Sequence, residues 1–313
     1  MIELKGLTKQ FDGTTILNGV DLKIETGSTF GLLGSNGAGK STILRLLSGI
    51  YRPDGGEVLI DGEAVYDNVP LKERVFFIND ETIQFANYTL TDMKHLYKRF
   101  YPRFSEALFT KLHSAIHLPL DKKLSTFSKG MKRQAVVIIG LACNTDYLLL
   151  DEAFDGLDPT MRIIVKRMLV DAMLDRGLTT IISSHNLTEI NEVCDTVSLL
   201  HNGKFVFSRD LDSVKSGIHK LQLVFSPEGG EVTQEQFAAA GVEVLHFDRT
   251  ASVYHVIARG EEDALRAQLS PLSPIVTDVI PLTLEEIFIY ELEVLGYDSN
   301  AIERLNEEKP VSE

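Results

Sequence analysis

Between residues 34 and 41 the chain reads Gly34-Ser35-Asn36-Gly37-Ala38-Gly39-Lys40-Ser41, an instance of the pattern G-x-x-x-x-G-K-[ST]. The apolar stretch Thr29-Phe-Gly-Leu-Leu33 precedes it, and Ile43, Leu44, Leu46 and Leu47 follow at helical spacing. Strand, glycine loop and helix thus stand in succession. In that order the backbone can curl so that its N–H groups point at phosphate oxygens, and the helix adds its positive end. Lys40 supplies a full charge, Ser41 a hydroxyl suited to Mg²⁺, and Thr42 lies beside it on the first turn. Such a loop needs a sheet to stand on. Tyr147 to Leu150 and Thr179 to Ser183 read as buried strands around a helical stretch from 161 to 174, which predicts α/β alternation with a parallel sheet.

The chain before and after the loop is β-rich. Val20, Leu22 and Ile24 alternate with polar residues, and Val58-Leu-Ile60 runs into an Asp61-Gly62 turn. From about Thr89 to Leu118 the period becomes helical, with Thr89 and Asp92 spaced as a capping box and Met93, Leu96, Tyr97 and Phe100 along one face. The last third differs in charge. Residues 214–313 carry 7 Lys and Arg against 18 Asp and Glu, net -11, which leaves only -3 of the total -14 for residues 1–213. Turn signals around Ser213 to Gly217 and Ser226 to Gly230 place the junction near 213. Leu221 to Phe225, Val242 to Phe247 and Val253 to Ala258 look like strands, and Leu284 to Leu295 like an apolar-acidic helix.

With 313 residues, two units are expected. The two cysteines, Cys143 and Cys194, build neither a disulfide framework nor a zinc knuckle, so a reducing compartment is expected. The start lacks the pattern of an export signal, and the most apolar run, Ala135 to Ala142, is too short to cross a bilayer. A net charge of -14 opposes binding to nucleic acid or anionic lipid.

A second chemical signal is Leu148-Leu-Leu-Asp151-Glu152, an apolar strand that ends in two acids. Asp151 suits a Mg²⁺-associated position opposite Ser41, and Glu152 suits polarising a water for in-line attack on a γ-phosphate. Alone, such a pair would more often be a solvated strand end. His185, after Thr179-Thr-Ile-Ile-Ser-Ser184, sits where ligands bind in α/β sheets, though an isolated histidine there is more often an ordinary one.

Taken together, residues 1–210 resemble the ATP-binding-cassette (ABC) ATPases, with five motifs in that family's order. Phe127-Ser128-Lys129-Gly130-Met131 resembles the signature Leu-Ser-Gly-Gly-Gln and departs from it at three positions. It retains Ser128 and Gly130, whose hydroxyl and N–H could meet a γ-phosphate, and Lys129 adds charge nearby. Asp155-Gly-Leu-Asp158 resembles the D-loop, His185 falls at the switch histidine, and Phe11 falls at the aromatic position that stacks on adenine, core packing being its other reading. The family's metal-sensing glutamine has no clear counterpart: Asp80 is the best match, with Glu81 and Gln84 close by.

The resemblance implies a P-loop ABC ATPase fold: a mostly parallel sheet, an antiparallel β subdomain and an inserted helical subdomain at about 82–145. A small α+β domain follows over 214–313, accessory and regulatory or dimer-bracing. It implies ATP and Mg²⁺, and a head-to-tail homodimer or heterodimer with a related ATPase. It also implies a separately encoded membrane permease, reached through the helical insertion and the loop after Asp80, and hence a cytoplasmic protein at the inner face of the membrane. Leu90 to Phe104, with Lys94, Lys98, Arg99 and Arg103, is one candidate docking face and equally an ordinary amphipathic helix. The ending Thr283-Leu-Glu-Glu-Ile-Phe288 resembles exporter-type ATPases. The rival is a soluble ABC protein acting on nucleic acid or ribosomes, which usually carries a coiled-coil insertion or a second cassette; neither is found here.

Overall fold

The computed structural model describes residues 1–79, 87–152, 154–211, 217–226 and 230–294. It divides into two compact units, Met1–Ser208 and Arg209–Glu313. In the first unit, β1 (Ile2–Phe11) and β2 (Thr14–Ile24) lead to β3 (Thr29–Leu33) and α1 (Lys40–Leu47). Next come β4 (Gly55–Ile60), β5 (Glu63–Ala64), α2 (Val69–Lys72) and β6 (Val75–Ile78). The helices α3 (Leu90–Phe100), α4 (Glu106–Ile116) and α5 (Lys129–Ala142) are followed by β7 (Tyr147–Asp151), α6 (Pro159–Arg176), β8 (Thr179–Ser184), α7 (Leu187–Val193), β9 (Thr196–His201) and β10 (Lys204–Asp210).

Two sheets organise these elements. One is antiparallel in the order β2-β1-β4-β5, and the other runs β10-β9-β3-β8-β7-β6, parallel from β9 across to β6. Every residue of β3, β7 and β8 is buried, and β3 and β7 are largely apolar without alternation because helices cover both faces. Alternation in β2 does what its pattern demands: Leu17, Val20, Leu22 and Ile24 enter a core shared with β1, α1 and Tyr147.

The helical stretch expected from Thr89 to Leu118 is two helices. Tyr101 leaves helical geometry just before Pro102, and the Ser105 hydroxyl accepts from Leu108 N at 3.2 Å to start α4. The capping box on α3 forms: the Thr89 hydroxyl accepts from Asp92 N while the Asp92 carboxylate accepts from Thr89 N. Most of the basic residues around it are engaged locally. Lys94 and Lys98 reach Glu106 at 3.1 and 3.0 Å, and Arg103 reaches Asp146 at 2.8 Å.

Asp61, in the turn between β4 and β5, ties the two sheets together. It accepts from the Met1 amine, from the Tyr147 hydroxyl at 2.7 Å and from Arg74. Partial burial works against its charge, but these donors prevail and hold its carboxyl down to about 2. A depressed carboxyl stabilises the fold above its unfolded pKa, and that stabilisation fades as the pH falls toward the folded value. Asp61→Asn is therefore expected to cost about 1 kcal/mol at pH 7, allowing for screening of a partly exposed group, and almost nothing near pH 2. Urea denaturation of the two proteins at both pH values measures the difference.

The second unit contains β11 (Ile218–Val224), α8 (Gln234–Ala239), β12 (Glu243–Thr250), β13 (Val253–Arg259), α9 (Glu262–Leu269), β14 (Val276–Ile280) and α10 (Leu284–Val294). Its antiparallel sheet is ordered β12-β13-β11-β14, so the chain follows the βαββαβ path of ferredoxin-like domains. Leu221, Leu223, Val256 and Ala258 pack on Phe237, Leu265 and Leu269 of the two helices. On the other face α10 reaches the sheet through Tyr290 beside His246 and Glu286 beside Lys220.

Candidate active site

Three neighbouring strand ends build the site. In the parallel register Leu33 of β3 lies beside Ser184 of β8, and Ser183 of β8 beside Asp151 of β7. The glycine loop, His185 and the Asp151-Glu152 pair therefore emerge at one edge of the sheet, across about 10 Å given the strand spacing.

The loop depends on its glycines. Gly34 and Gly39 have φ of 154° and 111°, and a Cβ on Gly34 would meet the Leu200 carbonyl oxygen at 2.4 Å. Lys40 opens α1 and is only 5% exposed; its ammonium donates to the carbonyls of Gly34 at 2.6 Å and Ser35 at 3.1 Å. Burial pulls its pKa down, and Glu152 and Asp151 oppose that pull. Gly37, at φ of 80°, has open space where a Cβ would stand, and Asn36, Ala38, Ser41 and Thr42 complete the loop and the first turn of α1. The oxygen donors of Ser41 and Asp151, on elements that pack together, fit Mg²⁺, which prefers hard ligands and phosphate oxygens.

Glu152 takes a left-handed backbone, φ of 48°, that turns the chain sharply off β7. Its side chain meets His185, with Nδ1 3.4 Å from Oε1, and one ligand atom each of Glu152, Asp155 and His185 lie within 4.8 Å of one another. Burial and the Asp155 carboxylate push Glu152 above the usual carboxylate range, while His185 and Lys40 draw it back. His185 is held from behind: the preceding Ser184 hydroxyl donates to buried Glu189 at 2.9 Å, and Glu189 meets Arg162 at 3.3 Å. Asn186 caps α7.

The other expected residues fall into separate places. Ser128 caps α5, its oxygen accepting from Met131 N at 3.2 Å, which leaves the hydroxyl hydrogen able to donate outward. Gly130 lies against the D-loop, for a Cβ there would stand 2.7 Å from the Gly156 carbonyl oxygen, and the Lys129 stem runs past Gly156. Asp158 caps α6, accepting from Met161 N at 3.0 Å. Phe11 is 37% exposed at the end of β1, edge-on to Tyr51 at 5.2 Å with the Lys9 ammonium 5.1 Å from its ring centre. It is therefore not core filling. Asp80, Glu81 and Gln84 lie outside the described residues.

Sequence reasoning passed over Ser183, Tyr51 and the nearness of Asp155 to Glu152. Only Ser183 left a trace, as one of the hydroxyl-bearing residues of a strand read as buried.

This architecture and these strand-end groups define a P-loop nucleotide-binding cassette. Residues 17–155 match the family model described as ABC transporter. Across 92% of its length the chain is 31% identical to the ABC transporter ATP-binding protein YtrB of Bacillus subtilis, of which the match spans 97%. It is 28% identical to the daunorubicin/doxorubicin resistance ATP-binding protein DrrA of Streptomyces peucetius, over 99% of this chain and 98% of that one. A solved ATP-binding subunit of an ABC transporter superposes with a TM-score of 0.64 at 25% identity, covering 69% of this chain and 92% of its own. The chain belongs to the ABC transporter ATP-binding proteins. Among the described residues no helix is long and apolar enough to cross a membrane.

Proposed function

We propose that this protein is the ATP-hydrolysing motor of an ABC exporter, closing as a pair of cassettes around ATP and driving a separately encoded membrane permease. The observation that carries the ATPase reading is the convergence of Lys40, Asp151, Glu152 and His185 at adjacent ends of one parallel sheet. In this reading Gly34 to Thr42 cradle the phosphates and Phe11 stacks on the base. Ser41 and Asp151 would hold Mg²⁺, with Asp80 a further candidate, and the bound cation would supply positive charge against the phosphate oxygens. Glu152 accepts a proton from the water that attacks the γ-phosphorus, and ADP leaves in line. His185 steadies that water and the γ-phosphate. Ser128, Lys129 and Gly130 of one cassette, with Asp158, complete the phosphate site of the other, so each site needs two chains. The partner is a second copy or a related ATPase.

Export is favoured by where similarity extends. DrrA, named for drug resistance, matches over nearly the whole chain, whereas the methionine import protein MetN of Legionella pneumophila matches 68% of it. The acidic ferredoxin-like unit is proposed as an accessory domain of such exporters, regulatory or dimer-bracing, and the protein as peripheral on the cytoplasmic face. Affinity purification of the full chain from detergent-solubilised cells tests the coupling. A polytopic membrane protein should co-purify in stoichiometric amount; ribosomes or nucleic acid in its place would overturn the transport reading.

A further inference from the structure

One hydroxyl connects the two acids of the site. Ser183 is fully buried in β8, directly beside Asp151 in the neighbouring strand. Its single hydroxyl hydrogen goes to Asp151 Oδ1 at 2.5 Å, since a carboxylate at that oxygen can only accept. The same Ser183 oxygen accepts from the backbone N–H of Glu152 at 3.2 Å, and so does the Ser183 carbonyl oxygen at the same distance. That N–H belongs to the residue whose left-handed φ of 48° points the Glu152 side chain toward His185. Four of the six buried residues of β8 carry hydroxyls, Thr179, Thr180, Ser183 and Ser184, and among them Ser183 is the one bonded to Asp151.

We infer that Ser183 is a positioning residue, whose hydroxyl sets the orientation of the Asp151 carboxylate for the divalent cation and at the same time fixes the backbone turn that presents Glu152. The inference rests on the proposed roles of Asp151 and Glu152. A hydrogen bond to a carboxylate is charge-assisted and stronger than a neutral one, so the serine holds one oxygen and leaves the other for an incoming ligand. Groups that orient a metal ligand in this manner are worth about 10- to 100-fold in metal affinity or activity. Ser184, one residue on, serves a different element: its hydroxyl goes to Glu189 of α7, so the two serines divide the work between the acids and the histidine loop.

The test compares full-length wild type, Ser183→Ala, Ser183→Thr and Asp151→Asn. ATP binding is titrated calorimetrically in EDTA and again at increasing Mg²⁺, and Mn²⁺ affinity in the presence of ATP is read by electron paramagnetic resonance. Ser183→Ala should leave ATP affinity in EDTA unchanged and raise the Mg²⁺ and Mn²⁺ midpoints about tenfold or more. Ser183→Thr, which keeps the hydroxyl, should restore both. A purely structural serine would lower the thermal midpoint of Ser183→Ala with no movement in either metal midpoint, and that result overturns the inference. If Asp151→Asn shifts the metal midpoints while Ser183→Ala does not, the inference alone fails. If neither shifts them, the role of Asp151 fails and the inference with it.

Discussion

Glu152→Gln is expected to reduce ATP turnover by about 10²- to 10⁴-fold, the range that a positioned general base supplies, while ATP binding survives. The substitution keeps the shape and the backbone turn but cannot take up a proton. Burial and the Asp155 carboxylate raise the wild-type carboxyl above its usual range, against His185 and Lys40, which makes it a stronger base than a free carboxylate. Single-turnover hydrolysis alongside equilibrium ATP binding separates the two quantities. Hydrolysis at the wild-type rate would move the base elsewhere in the site.

Lys40→Ala is expected to act on the other quantity, lowering ATP affinity about a hundredfold or more, as truncating one partner of a buried charge pair does. Lys40 has few alternatives to the phosphates: it is nearly fully buried and its ammonium turns onto the carbonyls of its own loop. Burial also depresses its pKa, so removing the side chain relieves a desolvation cost and the fold should not suffer. His185→Ala provides the contrast. With side-chain exposure of 43% and contact to Glu152, His185 should lose turnover and keep most of the affinity. Calorimetric titration of ATP into both variants gives the comparison, and an equal loss of binding in the two would remove the distinction between cradle and catalytic edge.

Much of this was legible in the chain because the decisive features are local. The glycine loop, the strands at Thr29 and Tyr147, and the capping box at Thr89 each follow from a few consecutive residues. The break between α3 and α4 was written in Pro102 and Ser105, yet the apolar period continues across it and disguises two helices as one stretch. What escaped depends on contacts between distant segments. Ser183 gains its meaning only when β8 lies beside β7, 32 residues away at Asp151. Tyr51 meets Phe11 only once β1 and the end of α1 are folded together. In the second unit β14 is short and partly exposed, and the helices α8 and α9 are brief, so their patterns were too weak to show a βαββαβ path.

The claim on which the rest depends is that two cassettes share each ATP. Sedimentation velocity of full-length Glu152→Gln, with and without ATP and Mg²⁺, addresses it directly. The nucleotide should convert the monomer to a species of twice its mass, and Ser128→Arg in the same background should block that conversion without weakening ATP binding to the monomer. A saturated, ATP-bound Glu152→Gln protein that remains monomeric, alone and when mixed with any related ATPase that co-purifies with it, would contradict the shared site.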